Sequence, residues 1–350
     1  MSAQLRLAAV FVLSALAALA SCSNRSICPS AQSVTAATAS SPSRGGMRTA
    51  GTRWVKLDDK HRIWTRRVGD GPIKLLVLPG GPRCSHEYFE VFEDFLLSRG
   101  VELIYYDPLG TGASVRPEDA SRWTMQGFVE EVETVRAALG LEDFYMLGHS
   151  AGGWIAIEYA LTHPGHLRGL ILSNTNASIR SWLENTDQVV AEEAPPDVTA
   201  KLRDCKARGD GECYAKLSDP YMDKRYLDVE PRIWPTPVFV ACFGSGSNAK
   251  MEEATLGVWP FQLLGSMSKW DRWKELDQIH VRTLVIGSKR DIHAPADIAR
   301  MAARIPGAKL AMLERGSHFS MYDNQDAYFA ALTGFLESVE AARAKRLPAP

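Results

Sequence analysis

A serine between glycines follows an apolar run near the middle of the chain. Ser150 lies in the segment Gly148-His149-Ser150-Ala151-Gly152, directly after the β-rich run 144–147 and before a helical pattern at 154–161. A serine at a sharp strand-to-helix turn, flanked by glycines that let backbone segments approach closely, forms a nucleophile elbow. The sequence therefore predicts that Ser150 is a nucleophile. His149 is too close in sequence to serve as its base, and we predict a packing role for it.

A serine hydroxyl needs a base to take its proton and a carboxylate to orient that base. Asp291 follows the apolar run 284–286, and His318 follows the last such run, so both are predicted at the carboxyl ends of strands. The order serine, aspartate, histidine along the chain is the order of this class of triad. His293 is the rival base, but it lies only two residues beyond Asp291. We therefore predict Asp291 as the orienting carboxylate and His318 as the general base.

The oxyanion of such a reaction needs two backbone N–H donors. One is predicted at Ala151, the residue after the nucleophile. The other is predicted in the loop 78–82, where Pro82 has no N–H and Gly81 is the natural donor; the alternative is a simple Gly-Pro turn. The spacing of His, Cys and Asp residues does not match a metal site, so no metal and no cofactor are expected.

The elements that must position these residues alternate along the chain. Short apolar runs, typical of strands covered on both faces, occur at 73–78, 101–106, 144–147, 170–172, 284–286 and 310–313. Helical patterns separate them, and the clearest is capped by Thr124 and ended by Gly140. This alternation predicts an α/β fold with a mostly parallel sheet and helices on both faces.

The alternation stops between residues 178 and 270 and then resumes. A stretch of this length is too long for one loop and contains Pro195-Pro196 and the segment Trp234-Pro235-Thr236-Pro237. We predict an inserted helical cap at 178–270, over a core built from 51–177 and 271–345.

The first residues do not resemble a folded domain. One charge, Arg6, precedes an apolar run that is too short to span a bilayer and is typical of a signal-peptide core. The run ends in Leu19-Ala20-Ser21-Cys22, which resembles a bacterial lipobox. We predict a signal peptide at 1–21, lipidation of Cys22 and a disordered tether at 22–50, and hence an exported lipoprotein, periplasmic or at the cell surface. Ordinary secretion is the alternative.

The chain has six cysteines, of which five are left if Cys22 is acylated, so at least one thiol stays unpaired. In an oxidising compartment Cys205 and Cys213 are the favoured pair, although connectivity is not fixed by sequence. Cys84 and Cys242 have apolar neighbours and are expected to be buried thiols.

Composition limits the partners. The 350 residues carry 40 basic and 41 acidic side chains, for a net charge of −1. A balanced charge gives no support to nucleic-acid binding. We expect a small molecule or short peptide as substrate and membrane contact through a lipid anchor only; the oligomeric state is not predicted.

Several segments together resemble the proline iminopeptidase family of α/β-hydrolases. They cover most of residues 54–340 and comprise Pro79-Gly80-Gly81-Pro82 with His86 and Tyr88, the segment 106–114, the elbow with its continuation through Glu158-Tyr159-Ala160 to His163-Pro164, the segment 234–237 and the segment 287–291. The resemblance implies an α/β-hydrolase fold with an inserted cap. It also implies release of N-terminal residues, often proline, from short peptides, with cap glutamates that bind the free ammonium group.

The chain departs from that family pattern in two places. The family loop begins with His and ends with Gly, where this chain has Pro79 and Arg83. Pro260 stands where the family has one of its glutamates. Glu252 and Glu253 are nearby candidates for substrate binding, with Trp259 beside them, and the alternative for both glutamates is a solvated helix face.

The sequence thus predicts a serine hydrolase that cleaves N-terminal residues from small peptides or amides through an acyl-enzyme. An esterase or amidase with an apolar, Trp-lined acyl pocket is the alternative within that class. A non-catalytic α/β-hydrolase scaffold is the alternative of another class, and the complete set of Ser150, Asp291 and His318 argues against it.

Overall fold

The computed structural model describes residues 51–229, 233–257 and 264–345. The predicted signal peptide and tether, Cys22 and Trp259 lie outside the described residues. Within them, eight strands form one sheet: β1 (Thr52–Lys56), β2 (Arg62–Val68), β3 (Ile73–Leu78), β4 (Val101–Tyr106), β5 (Phe144–His149), β6 (Leu167–Ser173), β7 (Thr283–Ser288) and β8 (Lys309–Leu313). Their order is β1-β2-β4-β3-β5-β6-β7-β8. The pairs β1–β2 and β2–β4 are antiparallel and the other pairs are parallel.

The described residues also form eleven α-helices. They are α1 (Phe92–Leu96), α2 (Met125–Leu139), α3 (Ala151–Thr162), α4 (Ile179–Glu193), α5 (Pro196–Arg208), α6 (Gly211–Tyr226), α7 (Thr236–Cys242), α8 (Ala249–Leu256), α9 (Pro295–Arg304), α10 (Ser320–Asp323) and α11 (Gln325–Ala344). This confirms the predicted α/β-hydrolase fold.

Alternate residues of the central strands point to opposite faces of the sheet. In β3, Leu76 and Leu78 belong to one hydrophobic cluster, whereas Leu75 and Val77 belong to another. Residues of α2, α3 and α9 complete the first cluster, and residues of α1 and α11 complete the second. Both faces of these strands are therefore buried, which explains why the strands are continuous apolar runs in the sequence.

Six of the strands match the apolar runs predicted from the sequence, whereas β1 and β2 were not predicted. β2 has the sequence RIWTRRV, and its three arginines interrupt the apolar run by which a strand would be predicted. It pairs antiparallel on both sides, so one side of the strand can stay polar. Arg67 is one of these polar residues, and its guanidinium donates two hydrogen bonds of 2.7 Å to the Glu102 carboxylate of β4.

The predicted ends of α2 are confirmed. Thr124 accepts a hydrogen bond from the Gly127 amide through its side chain, and Gly140 ends the helix with a φ of 65°. Glycine adopts this left-handed backbone conformation at little energetic cost, because it has no Cβ.

Helices α4 to α8 lie between β6 and β7 in the chain, in the stretch assigned to the cap. Helices α4, α5 and α6 pack against one another, and α7 packs against the short turn Glu87–Phe89 of the core. All described residues belong to one compact unit, so the boundary between core and cap stays a prediction. Among them, no helix combines the length and the apolar character needed to cross a membrane.

Four cysteines form two disulfides. Cys205 and Cys213 are bonded, as the sequence favoured, and they join the end of α5 to the start of α6. The prediction that Cys84 and Cys242 are buried thiols was wrong, because they are bonded to each other across 158 residues. This bond ties the loop after β3 to the end of α7.

Candidate active site

The turn between β5 and α3 places Ser150 in a strained conformation. Its φ of 56° and ψ of −126° lie in a region that residues with a Cβ rarely adopt. The chain reverses so tightly that a Cβ on Gly148 would lie 2.4 Å from the Gly152 carbonyl oxygen, and one on Gly152 only 2.1 Å from that of Leu78. Both glycines are thus required by close backbone contacts, as the elbow motif predicts.

The loops after β7 and β8 bring the other two predicted residues together. His318 Nδ1 lies 2.8 Å from Asp291 Oδ1, and both side chains are buried. The second carboxylate oxygen, Oδ2, accepts a hydrogen bond of 2.7 Å from Asn174 Nδ2. His318 and Ser150 line the same cavity. The arrangement fixes the imidazole with Nδ1 toward the carboxylate, which leaves Nε2 as the nitrogen that can accept a proton.

Burial sets the protonation of this pair. It lowers the pKa of His318 below the ordinary histidine value, so the resting ring is neutral and can act as a base. Burial raises the pKa of Asp291, while the hydrogen bonds from the His293 amide and from Asn174 oppose that change by stabilising the carboxylate. The resting site can therefore take up the proton of a serine hydroxyl.

The two predicted oxyanion donors flank Ser150. Gly81 lines the cavity in the loop after β3, and Ala151 begins α3, where backbone amides have no partner within the helix. The neighbouring Gly80 amide is already used, because it donates to Tyr88 Oη at 2.7 Å. Within the described part of the chain, no acceptor takes the amide of Gly81 or Ala151. Both amides are free to bind an oxyanion, and that role stays a prediction.

His149 is held by hydrogen bonds at both ring nitrogens. Its Nε2 lies 3.0 Å from the His318 carbonyl oxygen and must donate to it; its Nδ1 lies 3.1 Å from Tyr88 Oη and accepts from it. Burial lowers the pKa of His149 to about 3, so the ring stays neutral. The chain of hydrogen bonds from Gly80 through Tyr88 and His149 to His318 connects the oxyanion loop to the base. It supports a structural role for His149.

The cavity at Ser150 has a volume of about 590 Å³. Aromatic side chains form much of its wall: Tyr88, Trp154, Trp182, Tyr226, Trp234, Phe239, Phe243 and Phe319. The rest of the lining combines charged and polar side chains with two glycines, the Cys84–Cys242 disulfide, Met222 and Ile292. A cavity of this size, mostly apolar with a few polar groups, suits a small substrate.

Three carboxylates line this cavity. Asp219 and Asp223 are four residues apart on α6, so they lie on the same face of the helix. Asp219 is exposed to solvent, but partial desolvation and the negative charge of Asp223 raise its pKa. The third is the predicted Glu252, whose carboxylate pairs with Arg83 Nη1 at 2.8 Å. Glu253 lines a different cavity, beside Trp123 and Lys250, so the structure does not bring it to Ser150.

Several residues of this site were not predicted from the sequence. Asn174, which holds Asp291, follows β6 directly, so its place after a strand was a usable signal. Arg83 was noted only as a departure from the family loop. Asp219 and Asp223 lie in a helix without a clear apolar period, and no sequence signal separated them from solvated carboxylates.

Comparison with known proteins agrees with this geometry. A family model described as the alpha/beta hydrolase fold matches residues 74–204. A serine at the elbow, a buried Asp–His pair at the sheet edge and this match define an α/β-hydrolase.

Similar sequences and structures identify a family within this class. The chain is 35% identical to the proline iminopeptidase of Chitinophaga pinensis over 283 residues, covering 79% of this chain and 94% of that protein. It is 34% identical to that of Flavobacterium johnsoniae, with the same coverage. The crystal structure of a Mycobacterium smegmatis proline iminopeptidase is similar, with a TM-score of 0.75 and 26% identity, covering 83% of this chain and 99% of that one. The chain belongs to the proline iminopeptidase family.

Proposed function

We propose that this protein is a serine aminopeptidase that releases an N-terminal residue of the proline type from short peptides or small amides. The observation that carries the proposal is one cavity lined by Ser150, by His318, which pairs with the buried Asp291, and by the α6 carboxylates Asp219 and Asp223. Membership of the proline iminopeptidase family supports it.

The reaction follows from the positions of these groups. Ser150 Oγ attacks the carbonyl carbon before the scissile bond while His318 Nε2 takes the hydroxyl proton. The amides of Gly81 and Ala151 donate hydrogen bonds to the oxyanion. The C–N bond then breaks, and His318 gives its proton to the leaving amine. Water then attacks the acyl carbon while His318 takes a proton from the water. The bond between the acyl carbon and Ser150 Oγ breaks, His318 returns the proton to Oγ, and the acid is released.

The carboxylates of α6 supply what an aminopeptidase requires beyond this chemistry. A free N-terminus brings a cationic ammonium group into a partly apolar cavity, which is unfavourable unless an anion accompanies it. Glu252 is already paired with Arg83. Asp219 and Asp223 line the same cavity, and neither side chain has a hydrogen bond or ion pair among the described residues. We therefore assign ammonium binding to this pair, in place of the family glutamate replaced by Pro260.

Removing both charges should abolish the preference for a free amine. For the double variant Asp219→Asn/Asp223→Asn, we expect kcat/KM on prolyl p-nitroanilide to fall about 10- to 100-fold, the usual cost of a lost charge-assisted contact. Hydrolysis of the N-acetylated substrate should change little. The matched control is Asp197→Asn/Asp204→Asn on α5, whose carboxylates pair with Lys201 and Arg208 on the exposed face of that helix.

Assays of the wild-type enzyme alone also test whether the cavity recognises a free ammonium group. Equal cleavage of the free-amine and N-acetylated amides would contradict ammonium recognition. That result would favour the esterase or amidase alternative, for which the aromatic wall of the cavity is the supporting observation.

We also propose that the protein is exported and anchored by a lipid on Cys22. The apolar run and the Leu19-Ala20-Ser21-Cys22 segment support this, and two disulfides fit an oxidising compartment. In a bacterial host the full chain should sediment with membranes, and Cys22→Ser should lose the anchor and its incorporated acyl label. Cys28→Ser is the matched control and should keep both. Membrane attachment that survives Cys22→Ser would refute the anchor.

A further inference from the structure

His293 lies beside the triad, in the loop between β7 and α9. Its backbone amide donates to Asp291 Oδ1 at 3.1 Å, so the position of the residue is fixed by the same carboxylate that orients His318. The His293 ring lines the cavity that contains Ser150, and its centroid lies 5.5 Å from that of the His318 ring.

Within the described part of the chain, the ring of His293 lacks the partners that buried polar groups normally have. The residue is only 1% exposed, and neither Nδ1 nor Nε2 has a hydrogen-bond partner among the described residues. Buried polar side chains are nearly always hydrogen-bonded, because an unmade bond leaves the cost of desolvation uncompensated. His149, which is equally buried and also lies beside His318, has both its nitrogens paired. A buried ring in the wall of a substrate cavity, with no partner among the described residues, indicates a partner that arrives with the substrate.

The protonation state of the His293 ring determines which chemical groups it can bind. Burial lowers the pKa of His293 to about 3, so at neutral pH the ring carries one N–H donor and one acceptor and no charge. A neutral donor suits an uncharged carbonyl oxygen.

The position of the ring indicates which carbonyl this is. In the proposed reaction His318 protonates the leaving nitrogen, so groups attached to that nitrogen pass close to His318 and to the neighbouring His293 ring. In a peptide substrate the residue after the scissile bond carries a carbonyl oxygen three bonds from this nitrogen. An arylamide has no such group.

We propose that His293 is a specificity-determining residue that donates a hydrogen bond to the backbone carbonyl of the residue after the scissile bond. This inference rests on the function proposed above. It makes the enzyme selective for peptide leaving groups over aromatic amines, because only a peptide gives the buried ring its missing partner.

The test compares prolyl-glycinamide with prolyl p-nitroanilide. Relative to wild type, His293→Phe should lower kcat/KM for the peptide amide about 10- to 100-fold more than for the anilide. His293→Gln keeps a side-chain N–H and should restore part of the difference. The thermal unfolding midpoint of His293→Phe should stay the same or rise, since the substitution removes an unpaired polar ring. His166→Phe is the matched control. His166 directly precedes β6, whereas the active site lies after the end of that strand, so this variant should leave the ratio unchanged.

The outcomes separate the two proposals. If wild type cleaves neither substrate, the proposed function fails and this inference fails with it. If wild type cleaves both but His293→Phe leaves the ratio of the two kcat/KM values unchanged, only the inference about His293 fails. The inference about His293 fails in this way if both activities fall equally, as expected for a ring with a purely structural role, and also if neither activity falls.

Discussion

Ser150→Ala should reduce kcat on prolyl p-nitroanilide by about 10⁴- to 10⁶-fold, the range seen when a serine nucleophile that acts as a unit with its base is removed. Alanine has no oxygen to form the acyl-enzyme, so the whole covalent route is lost. The oxyanion amides of Gly81 and Ala151 and the substrate cavity remain, and they account for any residual rate.

A fluorophosphonate probe gives a second measurement of the same change. It should label wild type and not Ser150→Ala, while Ser338→Ala on α11 should keep both activity and label. Alanine keeps a Cβ at the strained φ of 56°, so the substitution should leave the backbone and the circular dichroism spectrum unchanged. An unlabelled but folded wild type would overturn the assignment of Ser150.

Asp291→Asn should lower kcat by about 10⁴-fold, by changing which imidazole nitrogen carries the proton. Asp291 accepts hydrogen bonds at both oxygens: His318 Nδ1 and the His293 amide donate to Oδ1, and Asn174 donates to Oδ2. An amide at this position has one acceptor and one donor. If its N–H₂ group faces His318, the ring must accept at Nδ1, which puts the proton on Nε2 and blocks proton transfer from Ser150.

The competing orientation of this amide is also unfavourable, because it places N–H₂ against Asn174 Nδ2, a donor facing a donor. The loss should therefore appear in kcat far more than in KM. Asp143→Asn, which removes a carboxylate from the Arg168 ion pair at the start of β5, is the control and should retain wild-type kcat. A loss of less than about tenfold in Asp291→Asn would mean that another carboxylate orients His318.

The parts of the site that could be predicted from sequence follow from local geometry. The Ser150 elbow needs glycines on either side within five residues, and Asp291 and His318 each follow an apolar strand. These signals are contained in short windows of sequence, because the carboxyl ends of parallel strands meet at one edge of the sheet. The structure accordingly brings Asp291 and His318 within hydrogen-bond distance.

The parts that sequence did not reveal depend on contacts between distant segments. Tyr88 and His149 meet across 61 residues, and their hydrogen bond has no counterpart in any local pattern. Asp219 and Asp223 became candidates only when α6 was seen to face the cavity. The sequence offers His293 only as a rival base, and a different role is indicated by its buried ring, which has no hydrogen-bond partner among the described residues.

The disulfide between Cys84 and Cys242 divides the covalent structure into a ring and two tails. Ser150 lies on the ring, whereas Asp291 and His318 lie on the C-terminal tail that leaves it. The smaller Cys205–Cys213 loop is nested within the same ring. A protease that cuts one exposed bond in α4 to α6 therefore opens the ring without separating any piece from the molecule. In the presence of a protease, a nicked chain would therefore stay in one piece, with the nucleophile and its base still joined, until a thiol reduced the bond.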